Sequence, residues 1–325
     1  MPQSVSGESF FGRFSSSARS SIASKDHKAT VQLLDDSETI QCEYKKNDTG
    51  QALLDYVCDY LNVVEKDYFG LRYQDANKHR YWLDTTKQIT RQVRGMFALD
   101  AFSLYDALGA ASHVSQLCSI SAVDSRRRSS PNLAFRLRIR FYPADPSVIK
   151  EEITRYQLFL QLRRDLLHGR LYCPQNEAAA LGAYIIQSEL GDYDPTEHKE
   201  GYVSEYKLFL KQTSKLEEKI AIAHQGLRGL TPADAELQFL KKASQFDTYG
   251  FDPHTVKDAK QGSVYIGVTH QGILVYQANR KVHHIKWNDL DKVDYLGKEF
   301  RVYPKASYFN DDLAPPVDAN EKTLN

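Results

Sequence analysis

The sequence has little that indicates a metal site, a disulfide framework, a membrane span or a surface for nucleic acid. Its four cysteines, Cys42, Cys58, Cys118 and Cys173, lie far apart and form no CxxC pair, so a reducing, cytosolic compartment is expected. No apolar run reaches the roughly 18 residues that a transmembrane helix needs. Lys and Arg together number 42 in the 325 residues, and so do Asp and Glu, so the excess positive charge of a nucleic-acid-binding protein is lacking.

Catalytic motifs are lacking as well. The sequence contains no P-loop, no dinucleotide-binding glycine fingerprint after a strand and no zinc-protease motif. His283 and His284 are adjacent in a predicted strand, where neighbours point to opposite faces and cannot share a metal. His168 lies at a predicted helix end, where a capping role is favoured. We therefore expect no catalytic residue, no metal ligand and no cofactor, and a protein that is not an enzyme.

What the sequence does have is enough apolar and aromatic residues to form cores: 42% are hydrophobic, with 20 Tyr and 15 Phe. Alternating patterns predict strands around Val31 and Ile40, and helical spacing predicts a helix from Leu53 to Val64. Short strands are predicted near Leu71 and Trp82. This order of elements is typical of a ubiquitin-like roll.

The last strand of this roll is delayed in the sequence. It is predicted at 135–141, where Phe and aliphatic residues alternate with three arginines, Arg136, Arg138 and Arg140. The roughly 38 residues between Arg94 and Asn132 exceed what a compact roll requires. We interpret 95–132 as an insertion, with a short helix followed by a basic arm.

The remainder of the chain divides into a helical region and a strand region. Capping residues predict helices at about 146–168 and 176–189, and helix starts at Ser214 and Thr231. Five strands are then predicted as an antiparallel meander between Ser263 and Tyr303. Both ends of the chain, at 1–26 and 304–325, have no sustained apolar period and are predicted to be disordered.

Several long strings carry a family resemblance. They are DYFGLRYQD (67–75), FRLRIRFYP (135–143), EEITRYQLFLQLRRDLLHGRLYCP (151–174), YIIQSELGDYDP (184–195) and YGFDPHTVKD (249–258). With HHIKW at 283–287, they make the chain resemble the FERM domain of the band 4.1 superfamily, in its protein 4.1-type branch. The resemblance covers about residues 28–94 and 134–303.

The resemblance implies an α+β, multidomain, three-lobed cloverleaf. Its parts are a ubiquitin-like first lobe (27–143, with the insertion 95–132), an acyl-CoA-binding-protein-like helical bundle (144–246) and a PH/PTB-like antiparallel barrel (247–303), between the disordered ends 1–26 and 304–325. The matching sequence stops near Tyr303, before the closing strands and the C-terminal helix of the family. We therefore expect a truncated third lobe, an incomplete barrel with an uncovered apolar face. The residues predicted to form that face are Val264, Ile266, Ile273, Val275, Ile285 and Trp287.

The resemblance also implies a non-catalytic adaptor. Such a protein binds cytoplasmic tails of transmembrane proteins and anionic phosphoinositide membranes, and couples them, in part indirectly, to cytoskeletal proteins. It would be cytoplasmic and peripheral, on the inner face of the plasma membrane, on the cytoskeleton or at cell junctions. The alternative is a regulatory signalling scaffold that binds a receptor or an enzyme without cytoskeletal coupling.

Candidate lipid-binding residues are the basic side chains near the expected membrane-facing region: Lys87, Arg91, Arg94, Arg136, Arg138 and Arg140. Only Lys87 matches a headgroup lysine of the family's ezrin-like branch, and Asp84 stands where another would be. The three arginines of the strand are open to a second interpretation, as a solvated or inter-lobe face. Ser129 and Ser130 follow three arginines and are candidate phosphorylation sites for a basophilic kinase.

Overall fold

The structure is a computed structural model that describes residues 27–310, except 36–37, 76, 94–132, 259–260 and 279. The predictions for 1–26, for the insertion 95–132 and for 311–325 lie outside the described residues. The same holds for Arg94, Ser129 and Ser130.

The first lobe is a five-stranded sheet with one helix packed against it. The strands are β1 (His27–Gln32), β2 (Thr39–Tyr44), β3 (Phe69–Gln74), β4 (Arg80–Trp82) and β5 (Leu133–Ile139), and the helices are α1 (Gly50–Tyr60) and the single turn α2 (Ile89–Gln92). The strand order is β2-β1-β5-β3-β4, with β1 and β5 parallel and the other pairs antiparallel. Helix α1 buries Leu53, Leu54 and Val57, so the predicted amphipathic helix and ubiquitin-like roll are confirmed.

The second lobe is the helical bundle α3 (Glu152–Leu167), α4 (Gln175–Leu190), α5 (Ser214–Gln225) and α6 (Pro232–Ala243). Local chemistry sets several of its helix ends. The Thr231 hydroxyl accepts the N–H of Asp234 at the start of α6, as the sequence predicts. The N-cap of α5 is Thr213, one residue before the predicted Ser214. Gly191, with φ of +74°, ends α4.

The predicted long helix at 146–168 is interrupted. Asp145 caps only a short 3-10 turn at Pro146–Val148, and α3 begins later, at Glu152. The intervening residues turn toward the first lobe, because the Glu151 carboxylate accepts the N–H groups of Val64 and Glu65 at 3.0 and 3.1 Å. In return the Glu65 carboxylate accepts the N–H groups of Lys150 and Glu151. We call this reciprocal contact the glutamate clamp.

The third lobe has two separate sheets. Strands β6 (His254–Lys257), β7 (Ser263–Thr269), β8 (Gly272–Gln277) and β9 (Arg280–Lys286) form an antiparallel sheet in chain order. Strands β10 (Leu290–Leu296) and β11 (Glu299–Pro304) form a hairpin of their own, with Tyr295, Leu296 and Phe300 exposed. Within the described residues these sheets do not close into a barrel, which agrees with the expected incomplete PH-like lobe.

The third lobe differs from the predictions in two details. Strand β6 is present in the structure but was not among the predicted strands. The expectation of disorder from 304 is wrong for 304–310, because Pro304 ends β11 and Ala306–Asn310 form a 3-10 helix. Tyr308 in that helix is only 8% exposed and packs with Ile273, Ile285 and Val302.

The hydrophobic cores are unequal. Lobes one and two share one continuous buried cluster that runs from Ala29 to Tyr249. Tyr249, at the start of the third lobe, is tied to the end of the first lobe. Its hydroxyl donates to the Pro143 carbonyl at 2.9 Å, and its ring meets Tyr142 edge-on. The third lobe has a separate, small cluster built around Ile273 and Ile285.

Candidate functional site

The loop that carries Lys87 is held rigidly against the start of α1. The N–H of Gly50 donates to the Lys87 carbonyl at 3.0 Å, and Thr49 forms an isolated bridge with Gln88. The Gln92 amide accepts the N–H of Asp84 at 2.7 Å and donates to the Asp84 and Lys87 carbonyls. The loop thus presents its side chains from a fixed backbone.

The charge of Lys87 is partly offset by its neighbour. The Lys87 ammonium lies 2.7 Å from an Asp84 carboxylate oxygen, although the Lys87 side chain is 69% exposed. The bond to Lys87, assisted by the hydroxyl and N–H of Thr86, holds the pKa of Asp84 well below its usual range. The same bond raises the pKa of Lys87. Both groups are therefore charged at neutral pH, and the pair attracts an anionic surface more weakly than a lone lysine.

Two further lysines lie beside this loop, and the sequence analysis missed them. Lys45 and Lys46 follow β2, in a turn that a side-chain hydrogen bond connects to α2. The hydroxyl of Thr90 donates to the Lys46 carbonyl at 3.0 Å. Lys45, Lys46, Lys87 and Arg91 are all exposed. We call these four residues the basic corner. The signal in the sequence was the lysine pair directly after a predicted strand.

The arginines of β5 do not share one environment. Arg136 and Arg140 are exposed, whereas Arg138 is only 5% exposed and donates to the Leu137 carbonyl at 2.6 Å. Period two places all three on one face, but the second lobe covers the middle of that face. As a candidate for membrane contact, Arg138 is contradicted by its burial. The guanidinium of Arg140 lies over the ring of Phe141, at 5.2 Å.

A cleft of about 1520 Å³ separates the third lobe from the ends of the first-lobe strands. Five of the six residues predicted to form an apolar face line this cleft, and the sixth, Ile273, lies in the small core behind it. The five are Val264, Ile266, Val275, Ile285 and Trp287. Burial lowers the pKa of His270 and of His283 at its wall, so both imidazoles are neutral at pH 7. The cleft can therefore receive apolar side chains.

Two ion pairs to Asp252 connect the first lobe with the third beside this cleft. Asp252 lies 2.9 Å from the Arg72 guanidinium and 3.2 Å from that of Arg80. Arg80 also donates to the Pro253 carbonyl at 2.7 Å. These bonds fix the start of the third lobe against β3 and β4.

The part of the chain that the structure describes contains no group of His, Cys, Asp or Glu side chains arranged to hold a metal ion. Its helices include none that is both long and apolar enough to cross a bilayer.

Comparison with known proteins decides the family. Three successive parts of one family match the chain in order: the FERM N-terminal domain at 31–95, the FERM central domain at 144–254 and the FERM C-terminal PH-like domain at 258–318. The chain belongs to the FERM family. It is 38% identical to human band 4.1-like protein 3 over 278 residues and 38% identical to bovine protein 4.1 over 272 residues. The FERM match continues to residue 318, beyond Tyr303, where the resemblance was expected to stop.

The relatives are longer than the matched region. The match to band 4.1-like protein 3 covers 86% of this chain and 22% of the relative, and that to protein 4.1 covers 84% and 38%. Among solved structures, the FERM and C-terminal domain complex of Drosophila Merlin aligns with a TM-score of 0.64 at 22% identity, over 92% of this chain and 88% of that one. The human myosin 7b MyTH4-FERM domain, in complex with the harmonin-a PDZ3 domain, aligns at 0.60 and 11% identity, over 86% and 55%. At these identities both establish the fold.

Proposed function

We propose that this FERM chain is a non-catalytic adaptor that links cytoplasmic tails of membrane proteins, and acidic phospholipid surfaces, to the cortical cytoskeleton. The observation that carries the proposal is the ordered match of all three FERM parts, together with 38% identity to protein 4.1 over 84% of the chain.

The basic corner supports the lipid part of the proposal. Its four cations are exposed beside one loop of the first lobe, where the Asp84 carboxylate pairs with Lys87 and offsets part of their charge. Each cation near an anionic leaflet contributes about 1 kcal/mol, and that attraction is screened by salt. We therefore expect weak and salt-sensitive binding to phosphoinositide-containing vesicles.

Vesicle co-sedimentation tests the lipid part. The variant carries Lys45→Glu, Lys46→Glu, Lys87→Glu and Arg91→Glu, and we expect it to lose at least about 100-fold in vesicle affinity at low salt. A matched control reverses four exposed lysines of the second lobe, Lys207, Lys211, Lys215 and Lys219, with the same change in net charge. Equal losses in the two variants, or wild-type binding that is insensitive to salt, would contradict the proposal for this surface.

The cleft beside the third lobe supports the tail-binding part, because its apolar wall can receive side chains of an extended peptide. Because the described sheets of this lobe do not close into a barrel, we expect a peptide from a membrane-protein tail to bind weakly. Detergent extraction of cells tests the cytoskeletal part. An adaptor coupled to the cortex stays in the insoluble fraction, whereas full extraction together with its membrane partner would favour the signalling scaffold.

A further inference from the structure

Strand β10 pairs with β11 on one side, and its other edge has no strand partner among the described residues. All its residues from Asp291 to Leu296 are exposed. Val293, Tyr295 and Leu296 add apolar surface to this edge. An exposed edge strand with apolar side chains is open to pairing with a strand from another chain.

The turn of the hairpin determines which backbone groups lie on the free edge. Two residues, Gly297 and Lys298, connect the strands, and the residues that flank such a turn form a hydrogen-bonded pair. The pairs of an antiparallel ladder alternate, so the N–H and C=O groups of Val293 and Tyr295 point away from β11. In agreement, the N–H of Tyr295 donates to the neighbouring Asp294 carboxylate at 2.8 Å.

The charges of β10 are complementary to those of a second copy of the same strand. Charged side chains on an edge strand usually oppose pairing. Antiparallel pairing about a two-fold axis at Val293, however, places Lys292 of each copy opposite Asp294 of the other. Both side chains are exposed. Opposite charges in facing positions stabilise a sheet, and like charges in these positions destabilise it.

Other two-fold registers of β10 on itself are less favourable. An axis at Asp294 would place this carboxylate opposite its own copy, and an axis at Lys292 would do the same with two ammonium groups. An axis at Tyr295 would set Asp294 against Leu296. Among these registers, the one about Val293 pairs both charges.

We propose that β10 binds β10 of a second copy of this chain, antiparallel and about a two-fold axis at Val293. The two hairpins then form one four-stranded sheet, in which Val293 meets its own copy and Tyr295 lies diagonal to it on the same face. Such a contact is isologous and closes as a dimer. It is short, because the register of β10 with β11 shifts between Leu290 and Lys292, so we expect a weak dimer that forms at high protein concentration.

Sedimentation equilibrium of the full chain tests the proposal without lipid or tail peptide, so the result is separate from the proposed adaptor function. We expect the mass to rise from 37.1 kDa toward twice that value as the concentration is raised. Lys292→Asp and Asp294→Lys each put like charges opposite each other, and we expect each variant alone to lose at least about tenfold in dimer affinity. An equimolar mixture of the two variants restores both opposite-charge pairs, so we expect it to associate as the wild type does.

The matched control is Lys298→Asp. It makes the same change in net charge as Lys292→Asp, at the exposed turn of the same hairpin and outside β10, and we expect it to dimerise as the wild type does. Circular dichroism confirms that each variant is folded before it is measured.

Four results would overturn the proposal. They are a wild-type mass that stays at 37.1 kDa up to about 1 mM, wild-type association in both single variants, no association in their mixture, and an equal loss in the Lys298→Asp control. A chain that stays monomeric but binds an extended tail peptide at β10 would show that the edge serves a different partner.

Discussion

The second and third lobes solve the problem of burying apolar surface in opposite ways. In the second lobe, helices α3 to α6 enclose side chains such as Phe159 and Phe239, whose rings meet edge-on at 5.1 Å in a continuous core shared with the first lobe. In the third lobe, two open sheets leave a cleft of about 1520 Å³, and the separate buried cluster is small. The difference indicates that the third lobe depends on its neighbours for stability, since burial of apolar surface is the main favourable contribution to folding.

The largest expected effect comes from opening the shared core. Replacing Phe159, which is fully buried, with Ala removes its contact with Phe239 and leaves a cavity. We expect a loss of about 3–5 kcal/mol in the free energy of unfolding. Chemical denaturation followed by circular dichroism measures it, and we expect lobes one and two to lose structure together. Separate transitions for these two lobes would contradict a shared core.

The matching change in the third lobe is Ile285→Ala. Ile285 is fully buried, but its neighbours are few and it also lines the cleft. We expect a loss of about 2–3 kcal/mol, at the lower end for such truncations. The effect should be confined to the third lobe, so the helical signal persists while the fluorescence of Trp287, read in a Trp82→Phe background, changes. Loss of the helical signal at the same denaturant concentration would show that the lobes unfold as one unit.

Hydrogen exchange sharpens the comparison without a mutation. We expect amides in β7 to β11 to exchange at least about 100-fold faster than those in the interior of α3, because few buried side chains protect the open sheets. The measurement is native-state exchange read by mass spectrometry, peptide by peptide. Equal protection of 263–303 and 152–167 would refute the idea that the third lobe is the weakest.

Packing between helices in the second lobe permits a finer test. A Cβ added at Gly182 would lie 2.7 Å from the Ile220 Cδ1, so Gly182→Ala overfills the contact between α4 and α5. Overpacking costs about 1–3 kcal/mol, which outweighs the gain of roughly 1 kcal/mol in helix propensity. We expect a net loss of up to about 2 kcal/mol. The Ile220 Cγ1 and Cγ2 would lie at 2.8 and 3.3 Å, so Ile220→Ala is the change that removes every clashing atom. We expect Gly182→Ala to cost less stability in the Ile220→Ala background than in the wild type, and an equal cost in both backgrounds would contradict this account.

The smallest expected effect concerns pH and the glutamate clamp. Hydrogen bonds from the backbone of Glu65 and Val64 lower the pKa of Glu151. A carboxyl whose pKa is lower in the folded state stabilises that state above the pKa of the unfolded chain, about 4.3. This stabilisation is lost as pH falls through the folded-state value. We expect Glu151→Gln to flatten the decline in melting temperature between pH 6 and pH 3, and an unchanged decline would contradict the role of this carboxylate.

Local patterns in the sequence predicted those elements whose causes are local. Thr231 caps α6 as expected because a threonine followed by proline specifies a helix start without help from distant residues. Helix α1 was predicted from the spacing of Leu53, Leu54 and Val57, all of which are buried. Gly169, with φ of +69°, ends the helix that precedes it, and His168 bonds the Arg164 carbonyl at 2.8 Å.

The errors come from contacts between segments far apart in the chain. The helix expected to begin after Asp145 is interrupted because Glu151 bonds to the first lobe. Its N–H donates to the Glu65 carboxylate and its own carboxylate accepts the Glu65 N–H, and these two residues lie 86 positions apart in the sequence. Strand β6 has no buried residue and no alternation, so only its pairing with β7 reveals it. Arg138 was expected to be exposed like Arg136 and Arg140, because the alternation of residues along a strand does not show which part of a sheet face another lobe covers.

The candidate sites show the same limit. Lys87 and Arg91 are candidates from the sequence alone, whereas Lys45 and Lys46 become candidates through the fold, since the Thr90 hydroxyl bond joins their turn to α2. A cleft of about 350 Å³ beside the first-lobe sheet is lined by arginines that lie as much as 98 residues apart in the sequence, from Arg72 to Arg170. Their grouping follows from the strand order and from the packing of α3, neither of which any local pattern contains.

The exposed hairpin β10–β11 has a consequence for the behaviour of this protein in solution. Tyr295 is 81% exposed and Leu296 66%, and both outer edges of the hairpin lack strand partners among the described residues. Unpaired backbone groups beside apolar side chains form a template that a strand from another molecule can extend. We therefore expect self-association to begin at this hairpin as the protein concentration rises. A surface on which the protein accumulates should reach the required concentration before the bulk solution does.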